Sequence, residues 1–270
     1  VSTNHLPQIN VIIITWNNQE EITACLHSVQ LQSYPNYKII VVDNHSSDAT
    51  VKIITREFPQ ITLLKNLKNL YYTGGINTGI KFSEKSQPAD YYLILNPDTI
   101  LDPNLLSNLV NRAISDPLIG VVGPKIKFLP QNANLIYSAG VDYDGFIIAA
   151  QIGHRQIDQG QFDESRDLNV IEGTCMLIKA AVIKKAGYFW EPLKMYSEDV
   201  EFCIRVKKAG FRVVYEPGAL LYHELMKSTS QNKSINVKQL QKRNWLLIAL
   251  RHYQWKSKLA MVKRYLVSGS

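Results

Sequence analysis

Apolar positions in the first 119 residues follow two alternating rhythms. Near-unbroken apolar runs fall at Asn10–Thr15 (NVIIIT), Lys38–Asp43 (KIIVVD) and Tyr91–Leu95 (YYLIL), with a shorter one at Ile61–Leu64. Runs of this length and β-branching are expected of strands buried on both faces. Between them the spacing turns helical. Glu20–Gln32 places Ile22, Leu26 and Val29 on one face, and Thr50–Phe58, Gly75–Ser83 and Pro103–Ile114 follow, the last with proline at its start. Strand and helix in alternation predict right-handed βαβ units and a mostly parallel sheet covered on both sides, an α/β Rossmann-like architecture.

The rhythm changes near residue 120. Val121–Phe128, Ile136–Ala139 and Phe146–Ala149 read as shorter strands joined by Gly- and Asn-rich turns, and 153–168 as a polar loop. Val170–Ile178 is a further strand and Ala180–Ala186 a short helix. Tyr196–Ala209 is a stronger helix, with Phe202, Val206 and Ala209 on one face and Gly210 ending it. No internal repeat or low-complexity linker divides the chain. The expected organisation is one domain over 1–230, with halves 1–119 and 120–230, then a basic helical tail over 231–270.

Composition narrows the function classes. No stretch approaches the 18 or more consecutive apolar residues that a membrane-spanning helix needs. Val1–Asn10 lacks the basic and apolar regions of a signal peptide, so none is expected. Cys25, Cys175 and Cys203 show no CxxC spacing, which implies free thiols in a reducing, cytoplasmic setting. The net charge of +7 is unevenly placed. After Glu224 there are ten bases and no acid, leaving 20 bases against 23 acids before it, a net of −3. Charge confined to a tail favours an anionic membrane surface as partner and speaks against a nucleic-acid-binding core.

In open α/β sheets functional residues collect at the carboxyl ends of strands. Three such ends are polar here: Thr15-Trp16-Asn17-Asn18, Asp43-Asn44-His45-Ser46-Ser47-Asp48 and Asn96-Pro97-Asp98. Asp, Asn and Ser are also preferred helix caps and turn formers, which explains any one end taken alone and Asp48 in particular. Three together describe a nucleotide crevice. The Gly74-Gly75-Ile76-Asn77 segment lacks GK[ST] and does not match GxGxxG, which disfavours a triphosphatase or a dinucleotide enzyme. Glu198-Asp199 opens a helix, where neighbours point about 100° apart, so one of the two at most aims squarely at a substrate. Acids there also simply complement the helix dipole.

TWNN, VVDNHSSDAT, NLYYTGGINTGI, LNPDT, EGTCMLI, MYSEDVEFCIRVKKAGF and YHELMKS occur in the order and spacing of glycosyltransferase family 2. The chain resembles that family over roughly residues 8–230, and most of all its bacterial rhamnosyltransferase-like branch. The resemblance implies a GT-A fold, a UDP- or dTDP-sugar donor (dTDP-rhamnose among them), inversion at the anomeric carbon, and a glycan or lipid-linked sugar as acceptor. It makes 1–119 the nucleotide-sugar half and 120–230 the acceptor and catalytic half. It assigns Asp43 to the pyrimidine, whose N3–H a carboxylate can accept, with Thr15 and Asn17 beside base and ribose. Asn69 and a turn over Gly74, Gly75 and Asn77 would close on the nucleoside. Asn96-Pro97-Asp98 stands at the DXD-type metal motif, with Asp98 keeping the carboxylate. His223 would complete a site for Mn²⁺ or Mg²⁺. Asp199 would be the general base, supported by Glu198 and Glu201.

Departures fall mostly in the donor crevice. Gly is commoner in the family where this chain has His45, Ala49 and Tyr71, and Asn is commoner at Ile76. Trp190 replaces a usual Asp near the expected acceptor side, where its ring could stack on a sugar or simply pack. Two rival functions remain at this level. A sugar nucleotidyltransferase would need an N-terminal Gly-rich basic loop, which TWNNQEE does not offer. A catalytically silent nucleotide- or lipid-binding partner would not need Asp98, Asp199 and His223 together. In the tail, 238–266 predicts one or two helices: Trp245–Leu250 apolar all round, then Leu259, Val262 and Leu266 on one face against Lys256, Lys263 and Arg264. Such helices either pack on the domain or lie on an anionic leaflet, with Trp255 and Tyr265 at the lipid–water boundary.

Overall fold

The computed structural model of the chain describes residues 6–129, 134–143, 149–224 and 236–253. Its first half alternates strand and helix: β1 (Ile9–Thr15), α1 (Ile22–Gln30), β2 (Tyr37–Asp43), α2 (Thr50–Glu57), β3 (Thr62–Lys65), α3 (Tyr71–Ser86) and β4 (Tyr91–Leu95). After a short β5 (Thr99–Leu101) come α4 (Leu105–Ile114), β6 (Ile119–Phe128), β7 (Ile136–Ser138), β8 (Val141–Tyr143), β9 (Ala149–Gln151) and β10 (Arg166–Leu168). The chain continues through β11 (Cys175–Lys179), α5 (Ala180–Ala186), α6 (Glu198–Lys208), β12 (Arg212–His223) and α7 (Val237–His252).

One sheet runs through both halves in the order β10-β12-β6-β11-β4-β1-β2-β3. The β4-β1-β2-β3 end is parallel, as crossover helices require. β11 enters antiparallel between β4 and β6, so the second half is mixed, with β6 and β12 parallel to each other. All seven residues of β1 are buried because helices cover both faces. Ile9, Val11 and Ile13 pack in the same cluster as the apolar residues of α1 and α4. Ile12 and Ile14 pack in the cluster that holds Ile76 and Ile80 of α3. The sheet is therefore the partition between two cores.

Several elements differ from the sequence expectation, β8 and the long β12 among them, neither of which the apolar pattern predicts. α3 begins at Tyr71, so Gly74, Gly75 and Asn77 lie within a helix. The turn expected there is absent, and packing explains the glycines: a Cβ on Gly75 would lie 2.6 Å from the Ile14 side chain. β10 lies within the span read as loop, and β5 was unread because three residues carry no periodicity. Residues 144–148, most of the expected Phe146–Ala149 strand, lie outside the described residues. β6 carries Pro124 opposite Glu216, next to a register shift between Glu216 and Leu220 of β12. A residue that cannot donate to the ladder belongs at such an irregularity.

The tail helix α7 is part of the fold. Asn244 is fully buried, and its amide nitrogen lies 2.8 Å from the carbonyl oxygens of Leu193, Met195 and Tyr196. Ile248 and Ala249 are buried beside it, while Leu246 and Leu250 face outward. "Apolar all round" therefore resolves into a packed face and an exposed one. Glu201, read as support for the general base Asp199, is instead committed to this junction. It is fully buried, takes a bidentate contact from Arg205, and lies 2.9 Å from His252 Nε2 of α7. Residues 254–266, where the sequence predicts a further helix with Trp255 and Leu266, lie outside the described residues. No described helix is long and apolar enough to cross a membrane.

Candidate active site

A cleft of about 800 Å³ opens at the carboxyl ends of β1, β2 and β4. Its lining falls into three sets by the elements that supply it: a first from the strand-end loops, Thr15, Trp16, Asn18, Asn44 and Asn69, a middle one of Asp98, Glu172, Glu198, Asp199 and His223, and a last from β9 and α7, Ala150, Gln151, Gln241 and Trp245.

Strand pairing assembles the middle. β5 runs antiparallel to β12 with His223 opposite Thr99, which brings Asp98 and His223 together across 125 residues of sequence. His223 Nε2 lies 3.2 Å from Asp98 Oδ1, both residues are buried, and Tyr137 meets the imidazole edge-on at 4.7 Å. His223 Nδ1 is buried with no hydrogen-bond partner.

α6 supplies the two carboxylates, and its approach is strained. Lys194, Tyr196 and Ser197 all have φ between 63° and 67°, a left-handed region that costs non-glycine residues of order 1–3 kcal/mol each. The Asn244 anchor described above holds this segment from behind. Asp199 and Glu198 then differ in their contacts. Asp199 accepts from the backbone N–H of Val200 at 2.8 Å and of Gly173 at 3.2 Å. Glu198 Oε2 is buried without a partner. Burial raises both pKa values, and the neighbouring Asp199 charge pushes Glu198 up further. Two N–H donors favour the ionised form of Asp199, so the pair sheds its first proton from Asp199 and keeps its second on Glu198.

The cleft is strongly acidic. Asp98, Glu172, Glu198, Asp199 and Glu224 line it, and no Lys or Arg does so among the described residues. Burial pushes Glu172 up to about 7. A site of this charge repels polyanions unless a cation bridges. Asp98 and His223 offer an oxygen and a nitrogen donor side by side, a set that fits a divalent ion sharing its other positions with phosphate oxygens and water.

The model of the glycosyltransferase-like family 2 matches residues 7–245. The chain belongs to that family. This glycosyltransferase is 25% identical over 264 residues to an N-acetylglucosaminyl-diphospho-decaprenol L-rhamnosyltransferase of Mycobacterium tuberculosis, covering 91% of this chain and 85% of the relative. Among solved structures, GalNAc-T7 with UDP, GalNAc and Mn²⁺ superposes with a TM-score of 0.77 at 14% identity, over 99% of this chain and 52% of that one. The Pyrobaculum calidifontis mannosyltransferase PcManGT with GDP-Man and Mn²⁺ gives 0.65 at 15% identity, over 99% and 77%. The chain thus spans about half the length of GalNAc-T7, and both likenesses establish the GT-A fold.

Within this glycosyltransferase the sequence-derived residues separate into two groups. Thr15, Asn69, Asp98, Glu198, Asp199 and His223 line the cleft together. Asn17, Asp43, Gly74, Gly75 and Asn77 do not. Asn17 joins two strand-end loops, its backbone N–H donating to Ser46 Oγ and its Oδ1 accepting from Ser47 N–H. Asp43 is buried and accepts from Ser46 N–H, while its neighbour Asn44 reaches the cleft. Asn77 clamps the backbone at Phe189 from both sides. Trp190 is covered by Arg251 of α7, 4.3 Å from its ring, which is packing. His45 and Tyr71, where the family more often has Gly, both adopt left-handed φ, which explains that preference. Sequence reasoning missed Tyr72, Tyr137, Glu172 and Trp245. Tyr72 and Glu172 stand inside the quoted motifs NLYYTGGINTGI and EGTCMLI, which were signal enough to name them.

Proposed function

We propose that this family 2 member is a metal-dependent, inverting transferase that moves a sugar from a UDP- or dTDP-sugar to an acceptor hydroxyl in polysaccharide or glycolipid synthesis. Glycosyl transfer itself follows from the family. One observation carries the finer reading: a carboxylate–imidazole pair and a backbone-anchored carboxylate face a single acid-walled cleft that holds no lysine or arginine among the described residues.

The nucleoside lies against Thr15, Asn44 and Asn69, with Asp43 and Asn17 holding the loops that shape this end. Gly74, Gly75 and Asn77 contribute by packing α3 behind it. Asp98 and His223 would hold Mn²⁺ or Mg²⁺, which neutralises charge on the departing diphosphate. Asp199 takes the proton of the acceptor hydroxyl as that oxygen attacks the anomeric carbon from the face opposite the diphosphate. Glu198 stands beside Asp199 in the cleft lining, its carboxyl pushed toward the protonated form by burial and by the Asp199 charge. The rhamnosyltransferase relative supports an activated rhamnose and a diphospholipid-linked sugar as the first donor and acceptor to test, and the Mn²⁺-bound structural neighbours support Mn²⁺ as the first metal. Incubation with UDP- and dTDP-sugars plus Mn²⁺ should release nucleoside diphosphate. Release of pyrophosphate from a nucleoside triphosphate and a sugar phosphate would instead show a nucleotidyltransferase.

We further propose that the enzyme works on the cytoplasmic face of a membrane through its tail. Outward-facing Leu246 and Leu250 on α7 adjoin exposed Lys242 and Arg243, and the chain after Glu224 has no acid. Each base near an anionic leaflet adds about 1 kcal/mol. Sedimentation with anionic vesicles at low salt, weakening as salt rises, is the expected result. Protein that stays in the supernatant at low salt overturns it.

A further inference from the structure

The part of the cleft lined by α7 and β9 has its own chemistry. Trp245 of α7 lines it and stacks on Tyr143 of β8, ring centroids 6.0 Å apart and 20° from parallel. Gln241 lies one helical turn before Trp245 on α7, and Gln151 of β9 lines the same cleft. Gln151 donates to Glu172 Oε1, while Glu172 Oε2 is buried with no partner. Tyr143 carries a buried hydroxyl that also has none. An unpaired buried carboxylate oxygen costs desolvation, and a small turn of the Glu172 carboxyl toward the cleft it lines would let a ligand hydroxyl repay it.

Aromatic rings with side-chain amides and a carboxylate around them are the groups that recognise a sugar ring. The ring offers a flat apolar surface to the C–H face, and the polar groups take the hydroxyls at its edge. We propose that Trp245, Gln241, Gln151 and Glu172 form the subsite for the terminal sugar of the acceptor, so that α7 is a specificity element of the active site. The assignment rests on the glycosyl-transfer reading given above. It places the acceptor between the Asp199 carboxylate and the basic tail, on the side from which a lipid-linked sugar would arrive.

Binding separates this idea from the catalytic one. Octyl glycosides of N-acetylglucosamine, glucose and galactose are titrated into the full chain loaded with UDP and Mn²⁺, and followed by saturation-transfer NMR. At least one should bind saturably to wild type. Trp245→Leu keeps an apolar contact on Tyr143 but removes the ring face, and should weaken that glycoside by at least about tenfold. Trp245→Phe should recover most of the loss, and Glu172→Gln should weaken binding while leaving the melting temperature close to wild type. UDP·Mn²⁺ affinity should be kept in Trp245→Leu, which shows that the nucleotide end is intact. The proposal is overturned if no glycoside saturates wild type, if Trp245→Leu binds it equally well, or if Trp245→Leu loses UDP and glycoside together. Saturable glycoside binding with no UDP binding in wild type would sink the donor reading and leave the subsite standing.

Discussion

Asp199→Asn is expected to lower the rate of sugar transfer by at least about a hundredfold while nucleotide binding survives. The substitution removes basicity and keeps the shape of the side chain. Its amide oxygen can take the Val200 N–H now held at 2.8 Å, but the amide nitrogen then faces the Gly173 N–H, a donor against a donor. A stability loss of about 1–3 kcal/mol should accompany the change. Turnover must therefore be read well below the melting temperature of the variant. Glu198→Gln is the informative partner. If Glu198 keeps its proton at neutral pH, a neutral amide there should retain far more activity than Asp199→Asn does. A dead Glu198→Gln beside an active Asp199→Asn would transfer the base to Glu198. The pH profile gives a second check. The base must be ionised, so activity falls as pH falls. Burial moves that limb above the ordinary carboxylate range near about 4, and a limb at or below that value would contradict the assignment.

What the sequence revealed about fold and site divides along physical lines. β1, β2 and β4 were legible because strands buried on both faces must be almost purely apolar, and their ends agree with the structure to about a residue. Asp98, Asp199 and His223 were legible as types in motifs, yet their meeting was not. The Asp98–His223 contact depends on β5, three residues long, pairing with a strand that ends 125 residues later. The glycines of α3 misled because glycine serves equally in a turn over a ligand and in a helix pressed against a strand, and composition does not distinguish the two. Trp245 was visible only as an apolar residue in a basic tail. Its place in the cleft wall follows from Asn244 beside it, whose buried amide fixes the helix against the segment leading into Glu198. A polar residue in a hydrophobic helix window was the available clue, since a buried amide must find partners.

Chelation should abolish the binding of UDP far more than the binding of uridine. The difference comes from the walls. Five carboxyl groups line the cleft and no lysine or arginine does among the described residues, so a diphosphate finds no lysine or arginine to balance its charge when no cation is present. Uridine lacks that charge and contacts the end formed by Thr15, Asn44 and Asn69. Calorimetry with EDTA, then with Mn²⁺ or Mg²⁺ restored, reads the effect without turnover. Asp98→Ala removes the oxygen donor and should imitate chelation even with metal present, cutting transfer at least about a hundredfold while uridine still binds. The fold should survive, because Asp98 lines the cleft and its backbone carbonyl, which accepts from Glu224 N–H at 3.0 Å, is retained. His223→Ala should weaken Mn²⁺ more than Mg²⁺, since an imidazole donor suits the former better than the latter. UDP that binds equally well in EDTA and in Mn²⁺ would mean that the diphosphate finds its counter-charge elsewhere, and Asp98 and His223 would lose the role assigned to them.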